Sequence, residues 1–296
     1  MVHNPSPPSV AADPRAIWAS LSQTERDAAY DNNSAAPDSA ALIEQRNAAS
    51  MAYRTAHPHR LDIPYGPRPR NRWDLFPADD PQAPCLVFIH GGYWQRNSRE
   101  DFATFMQGVR AHGWSAALPG YTLAPDATLA DIVAEIHAAL DWLRDDGPSH
   151  GIAGPVVLSG WSAGGHLTAM LLAHPVVTAG LAISGVYDLE PLRDTWLNAP
   201  LQLTQSEIET LSPLRLAVVQ KPMSIAYGTA ELPALVSDSR HLHDIRAAAH
   251  APGALLPIAG AHHFNILHHL AAPEGELTRA ALELVRSCSL PQHHVR

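Results

Sequence analysis

The chain has 296 residues, of which 46% are hydrophobic, so it can bury the core of one large globular domain. A net charge of −9 argues against nucleic-acid binding, which requires a basic face. The sequence contains no run of 18 apolar residues, the length that a membrane-spanning helix requires. The first eight residues lack the basic start and apolar stretch of a signal peptide, and Cys85 and Cys288 make no disulfide framework. We therefore expect a cytoplasmic protein.

The N-terminal part of the chain is predicted to be helical and to precede the sheet. Residues 1–13 are rich in Pro and Ser and are expected to be disordered. Residues 14–60 form a helical segment, in which Ser22 and Glu25 make a capping box. Its two predicted helices span 14–30 and 39–56. Since the sheet does not need these helices, we expect the segment to pack over a pocket as a lid.

Residues 61–290 are predicted to form an α/β catalytic domain, which opens on an antiparallel hairpin of strands 61–65 and 72–76. The following strands are predicted at 85–89, 114–118, 155–159, 180–184, 223–227 and 254–258. Helices are predicted near 99–112, 128–144, 163–173, 238–250 and 275–287. This alternation indicates a mostly parallel sheet with helices on both faces. The insert 188–215 interrupts it and is a further candidate for the lid.

A nucleophile elbow is indicated by Gly-Trp-Ser-Ala-Gly at residues 160–164, directly after an apolar strand and before a helical stretch. Such a turn is too tight for large neighbours, so glycines flank the serine on both sides. The context favours a nucleophile over an inert turn serine. The hydroxyl of Ser162 is therefore expected at the end of the sheet, where a base can reach it.

An oxyanion-binding loop is predicted where strand 85–89 runs into His90-Gly91-Gly92-Tyr93-Trp94. Glycines allow the backbone to pass close to a substrate. The amides of Gly92, Tyr93 and Ala163 are the expected donors to a developing oxyanion.

An acid and a base follow later strands in the chain. Glu231 lies in the loop after strand 223–227, whereas its competitor Asp238 lies at the apparent start of the next helix, where an acid has a structural explanation. After the last strand, His262 and His263 are adjacent, and only one of them can face the serine. The chain order is then serine, acid, base.

Aromatic residues recur in the loops that follow strands, which favours a pocket for an aromatic or apolar group. These expected substrate-binding residues are Tyr93, Trp94, Trp161, Tyr187 and Trp196. The 18 histidines show no H-E-x-x-H pattern, so we expect no bound metal ion. Nucleophilic attack by a serine with an acid and a base requires no cofactor, and we expect none.

These motifs resemble those of the kynurenine formamidases, within the α/β-hydrolase fold. The likeness begins with H-G-G-x-W at 90–94, where most esterases of the hormone-sensitive lipase group carry a third glycine in place of Tyr93. It extends over about residues 20–290. The other matching segments are Tyr30-Asp31-Asn32-Asn33 with Pro37-Asp38, Ser184 to Leu192, Gly228 to Pro233, and His263-Phe264.

The resemblance implies cofactor-free hydrolysis of N-formylkynurenine to kynurenine and formate. It assigns Ser162 as nucleophile, Glu231 as orienting acid and His263 as base, because the family's histidine directly precedes a Phe. It also implies that Tyr30 lies close to the ligand. One departure is His262, which stands where many relatives carry an acidic residue.

Two other functions compete with this one. A related carboxylesterase would act on short-acyl or aryl esters, since H-G-G-x-W does not define the substrate. A non-catalytic ligand-binding relative would have lost the serine or the histidine, and both are present. In each case the partner is a small molecule, with no nucleic acid or membrane, and a homodimer is left open.

Overall fold

The computed structural model describes residues 14–289, whose eight strands form a single sheet. The strands are β1 (Ile63–Pro64), β2 (Arg72–Phe76), β3 (Cys85–Ile89), β4 (Ser115–Pro119), β5 (Val156–Trp161), β6 (Val177–Ile183), β7 (Met223–Gly228) and β8 (Leu255–Ile258). Their spatial order is β1-β2-β4-β3-β5-β6-β7-β8. Strands β1, β2 and β4 pair antiparallel, and all the other neighbours pair parallel. The predicted hairpin and mostly parallel sheet are confirmed.

Helices cover both faces of this sheet. They are α1 (Pro14–Ser20), α2 (Gln23–Ala28), α3 (Asn32–Ala35), α4 (Ser39–Ala56), α5 (Gln107–Arg110), α6 (Leu129–Asp146), α7 (Ala163–Leu171), α8 (Asn198–Leu201), α9 (Gln205–Leu211), α10 (Pro233–Ala248), α11 (His268–Ala271) and α12 (Glu276–Ser289). Short 3₁₀ segments lie at Pro58–Arg60, Arg99–Met106, Gly147–His150, Pro191–Asp194, Pro213–Arg215 and Asn265–Leu267.

Two apolar clusters, one on each side of the sheet, form the core. Alternate residues of β3 divide between them: Val87 belongs to the cluster packed by α6 and α7, and Leu86 to the cluster packed by the 99–106 segment and α12. Every residue of β3 is buried. A strand buried on both faces has an unbroken apolar sequence, which is the pattern that predicted this strand.

Three predicted helices differ from the structure. The helix expected over 14–30 is two helices, because the confirmed capping box of Ser22 and Glu25 starts a new helix at Gln23. The helix expected near 99–112 begins as a 3₁₀ segment. The helix expected from 238 starts at Pro233, so the prediction that Asp238 lies at its N-terminus is wrong. The prediction for residues 1–13 lies outside the described residues.

The N-terminal segment is joined to the sheet by buried polar contacts. From α4, the Ser50 hydroxyl donates to the carbonyl of Asp101 at 2.8 Å. Farther along the helix, Arg54 Nε donates to Asp74 Oδ2 at 2.7 Å, and Arg99 Nε donates to the other oxygen of that carboxylate at 3.2 Å. Asp74 lies on β2 and is fully buried, so one carboxylate links α4, the sheet and the 99–106 segment.

Between residues 14 and 289, no helix combines the length and the apolar character that a membrane crossing requires.

Replacing Asp74 with Asn should destabilise the fold by about 3 kcal/mol, because Arg54 and Arg99 then lose their one fully buried counter-charge and keep only the more exposed carboxylates of Asp62 and Glu100. The free energy of unfolding from urea titration measures this effect. Asp145→Asn is the matched control, since Asp145 pairs with Arg144 at an exposed position. That variant should unfold at the same midpoint as the parent protein. Equal midpoints for both variants would contradict the linking role of Asp74.

Candidate active site

Ser162 lies on a strained turn between β5 and α7, with φ 59° and ψ −117°. Its amide donates to the carbonyl of Ile183 at 2.8 Å, which fixes the turn to the end of β6. Close packing explains the glycines on each side. A Cβ atom on Gly160 would lie 2.3 Å from the Gly164 carbonyl oxygen, and one on Gly164 would lie 2.0 Å from the Ile89 carbonyl oxygen. The tight strand-to-helix turn that a nucleophile elbow requires is therefore present.

The loop after β3 is strained in the same way. Gly92, Tyr93 and Trp94 all have positive φ, at 118°, 50° and 59°. Consecutive residues in sparsely populated conformations occur mostly at functional sites. Within residues 14–289, the amides of Gly92, Tyr93 and Ala163 donate to no protein acceptor. These three N–H groups, which the sequence singled out, are free to bind an oxygen atom from a ligand.

The acid and the histidine lie side by side after the last two strands. Glu231 Oε2 is 3.4 Å from Nδ1 of His263, and both residues are buried. The other carboxylate oxygen accepts from the Ser184 hydroxyl at 2.5 Å and from the Gly228 amide at 2.9 Å. With Nδ1 directed at Glu231, Nε2 is the ring nitrogen of His263 left for a proton exchange.

Asp238 has a different role from Glu231. Its carboxylate accepts from the amides of Tyr187 and Asp188, at 2.7 and 3.1 Å, and so anchors the loop that follows β6. Burial raises the pKa of Asp238 to about 7, against the effect of these two hydrogen bonds. The structure thus places Glu231, and not Asp238, against the histidine.

The two adjacent histidines face different partners. His262 Nε2 lies 3.1 Å from Asp38 at the start of α4, and its Nδ1 accepts from the Phe264 amide at 3.2 Å. The loop around His263 is held by Trp161, whose indole N–H donates to the His263 carbonyl at 2.8 Å while the two rings lie 4.7 Å apart. His262 therefore links the base loop to the N-terminal segment.

Ser162 and His263 open into one cleft, which holds about 540 Å³ of empty space including its mouth. Its other lining residues are Tyr30, Asp31, Asn32, Asn33, Ile43, Arg46, Gly92, Tyr93, Arg96, Asn97, Trp161, Trp196 and Phe264. One wall comes from the N-terminal segment. From the insert 188–215 only Trp196 contributes.

Four of the six aromatic residues expected to bind substrate line this cleft: Tyr30, Tyr93, Trp161 and Trp196. Trp94 and Tyr187 do not, and that part of the prediction is contradicted. Both are fully buried in the core. Trp94 packs edge-on against His166 at 5.0 Å. An aromatic residue in a loop after a strand serves packing as readily as binding, and only tertiary contacts separate the two cases.

The cleft also contains residues that the sequence did not single out. Asn32 donates to the Tyr93 hydroxyl, which in turn donates to the Tyr30 carbonyl, both at 2.9 Å. This chain of hydrogen bonds ties the oxyanion loop to the N-terminal segment. Asn32 lies within the Tyr-Asp-Asn-Asn motif and could have been found there. Ser184 lies outside the cleft, bonded to Glu231, and belongs to the segment 184–192 that carries the resemblance. Arg46 had no comparable signal, since its role depends on the tertiary structure.

Among residues 14–289, one group of side chains has ligand atoms close enough to hold a metal ion: those of His137, Asp141 and His174 lie within 4.8 Å of one another. The sequence did not predict this group. Asp141 also pairs with Arg144, and Nδ1 of His174 accepts from the Val176 amide at 3.3 Å. That hydrogen bond places the ring proton on Nε2, towards Asp141. The three residues are mutually satisfied without an ion, and none of them lines the cleft.

Comparison with known proteins agrees with this geometry. The BD-FAE family matches residues 75–176. A kynurenine formamidase of Danio rerio is 24% identical over 290 residues, which cover 90% of this chain and 98% of the relative. That of Drosophila melanogaster is 28% identical over 67% of this chain and 72% of its own. A crystal structure of a protein named as a thioesterase, from Silicibacter sp. TM1040, has a TM-score of 0.77 at 28% identity, over 87% of this chain and 99% of the other.

The sheet, the serine elbow and the acid–histidine pair define an α/β-hydrolase, an enzyme of the serine hydrolase class. Within that class, the chain is similar to the kynurenine formamidases of Danio rerio, Salmo salar and Drosophila melanogaster.

Ser184→Ala should lower kcat about tenfold on an aryl acetate and leave KM unchanged, because Glu231 loses a hydrogen bond that orients it towards His263. Steady-state kinetics measure the effect. Ser159→Ala is the matched control, since Ser159 is an equally buried serine whose hydroxyl donates to the Leu181 carbonyl and not to a residue of the site. A similar loss of kcat in both variants would show a general effect of removing a buried hydroxyl.

Proposed function

We propose that the protein hydrolyses an N-formyl arylamide, with N-formylkynurenine as the substrate, and releases formate and the free aryl amine. The observation that carries this proposal is the arrangement of Ser162 and His263 in one cleft, with Glu231 behind the histidine and three unpaired amides beside the serine. The choice of substrate is supported by the kynurenine formamidases of Danio rerio and Drosophila melanogaster that align with most of the chain.

The proposed reaction begins when His263 Nε2 takes the proton of the Ser162 hydroxyl and the oxygen attacks the formyl carbon. The amides of Gly92, Tyr93 and Ala163 bind the resulting oxyanion, and each such donor lowers the barrier by about 3 kcal/mol. Glu231 holds the imidazole in the required tautomer and stabilises its protonated form.

The tetrahedral intermediate then collapses. His263 gives its proton to the departing aryl nitrogen, so the amine leaves neutral and a formyl ester remains on Ser162. A water molecule, deprotonated by His263, attacks this ester, and His263 then returns that proton to the Ser162 oxygen as the ester bond breaks and formate leaves. Every proton in the cycle moves through one histidine, which is why its Nδ1 must stay bound to Glu231.

We propose that residues 14–60 act as a lid. Tyr30, Asp31, Asn32 and Asn33 supply one wall of the cleft, and the Asn32–Tyr93 hydrogen bond couples this wall to the oxyanion loop. Closing the site away from water would strengthen the hydrogen bonds that stabilise the oxyanion.

A carboxylesterase acting on short-acyl or aryl esters is the second candidate, because the same residues would cleave an ester and the aligned Silicibacter structure is named as a thioesterase. A non-catalytic role is disfavoured by the presence of Ser162, Glu231 and His263 in one site. A cytoplasmic location and a homodimer stay predictions, to be tested by cell fractionation and analytical ultracentrifugation.

Ser162→Ala and His263→Ala should each lower kcat by several orders of magnitude, with little difference between them, because the members of a triad act as a unit. Turnover of an aryl acetate, with circular dichroism to verify the fold, measures this loss.

His262→Ala is the control for the adjacent histidine. Its side chain binds Asp38 and not Glu231, so turnover should fall far less than in His263→Ala. A reversed order of the two histidine variants would show that His262 is the base.

The enzyme should prefer a small acyl group with a large aromatic leaving group, since formyl needs almost no acyl pocket while Trp161, Trp196 and Phe264 line the cleft. We expect kcat/KM to be high for N-formylkynurenine, lower for phenyl acetate and lowest for a long-chain nitrophenyl ester. Good turnover of the acetate without turnover of the formamide would instead favour the esterase. Preference for the long chain would contradict both candidates.

A further inference from the structure

Arg46 is a buried cation whose hydrogen-bond partners are neutral. It lies on α4, is 8% exposed and lines the cleft that contains Ser162. Its Nε and Nη2 donate to the side chain of Asn47 at 3.0 and 2.8 Å, and Nη2 also donates to Asn97 at 3.2 Å. The guanidinium lies 4.3 Å from the centre of the Phe102 ring. Burial lowers the pKa of Arg46 to about 10, which leaves it charged at neutral pH.

Within residues 14–289, no carboxylate oxygen lies within 4 Å of the Arg46 guanidinium, and its Nη1 makes no hydrogen bond. Of the other buried arginines in the described part of the chain, Arg99 pairs with Asp74. Arg246 has only neutral partners, but these are three backbone carbonyls, and it does not line this cleft. The Asp101 carboxylate acts on Arg46 only from beyond 4 Å and is itself bonded to Ser98. A buried charge without a directly bonded counter-charge is costly, and such a charge at a ligand cleft favours an anionic ligand.

The other charges around the cleft also favour an anionic ligand. Arg96 is exposed at the mouth, 5.2 Å from the Trp196 ring centre, and it too has no carboxylate within 4 Å among the described residues. Asp31 is the only acid among the described residues that line the cleft, and its oxygens accept from the amide and hydroxyl of Ser34. The cleft therefore carries a local positive charge in a chain whose net charge is −9.

We propose that Arg46, assisted by Arg96 at the mouth, binds a carboxylate on the leaving group of the substrate and makes the enzyme selective for carboxylate-bearing arylamides. This inference rests on the proposed function, since N-formylkynurenine carries such a carboxylate on the side chain of its aryl ketone. The guanidinium suits this group, because its Nη1, which has no partner among the described residues, can donate a charge-assisted hydrogen bond to a carboxylate oxygen.

A purely structural role for Arg46 makes a different prediction. Asn97, which accepts from Arg46, donates through Nδ2 to the Gly91 carbonyl at 3.1 Å, so Arg46 also braces the oxyanion loop. If bracing were its whole contribution, losing Arg46 would lower kcat for every substrate alike. Carboxylate binding instead predicts a loss confined mainly to KM and to the charged substrate.

The test compares N-formylkynurenine with N-formylkynuramine, which has the same scissile bond and aryl group but lacks the carboxylate. The parent enzyme should show at least a tenfold higher kcat/KM for the carboxylated substrate. Arg46→Gln should raise KM for that substrate about tenfold and remove the preference, and Arg46→Lys should restore part of it. Arg286→Gln, which removes the same charge from an exposed position on α12, should behave as the parent. Equal losses on both substrates, or no preference in the parent, would overturn the proposal.

A binding measurement separates this proposal from the proposed function. In the Ser162→Ala background, calorimetry should show tighter binding of kynurenine than of kynuramine, and Arg46→Gln should abolish the difference. If the parent enzyme hydrolyses neither formamide, the proposed function fails while the binding difference still decides the role of Arg46. Equal affinities of the two ligands in the Ser162→Ala protein would reject carboxylate recognition.

Discussion

The turn at Ser162 is the constraint on which the rest of the site depends. It can form only where the backbones of β3, β5 and α7 come almost into contact, since any side chain at Gly164 would collide with the Ile89 carbonyl. The same close approach brings the loop after β3 beside the N-terminus of α7. The proposed oxyanion donors, the amides of Gly92, Tyr93 and Ala163, belong to these two segments, so one packing constraint would position both the proposed nucleophile and its oxyanion donors.

The parallel sheet supplies the rest of the machinery. Because β5, β6, β7 and β8 are neighbours that point the same way, the loops at their carboxyl ends lie in a row. Ser162, Ser184, Glu231 and His263 follow these four strands in that order. Hydrogen bonds run along the row from Ser184 to Glu231 and on to His263. The acid is thus held from the strand next to the nucleophile.

The N-terminal segment supplies two features of the cleft that the sheet does not: one of its walls and the positive charge of Arg46. Its α4 helix is fixed by Arg54 on the buried Asp74. On the same helix, Arg46 lines the cleft with no carboxylate of the described residues within 4 Å. Arg54, which pairs with Asp74, and Arg46, which has no such ion pair among the described residues, therefore lie about two helical turns apart on α4. Specificity in this enzyme would then come from the segment outside the sheet, and reactivity from the sheet itself.

The sequence by itself determined the sheet, the elbow, the oxyanion loop and the order of serine, acid and histidine, because apolar periodicity and glycine spacing act over a few residues. It also favoured Glu231 over Asp238, although the helix start assumed for Asp238 was wrong. Tertiary structure alone decided that Trp94 and Tyr187 are core residues, that His262 faces Asp38, and that Arg46 lines the cleft unpaired. Each of these outcomes depends on contacts between segments far apart in the chain, and no local pattern encodes such contacts.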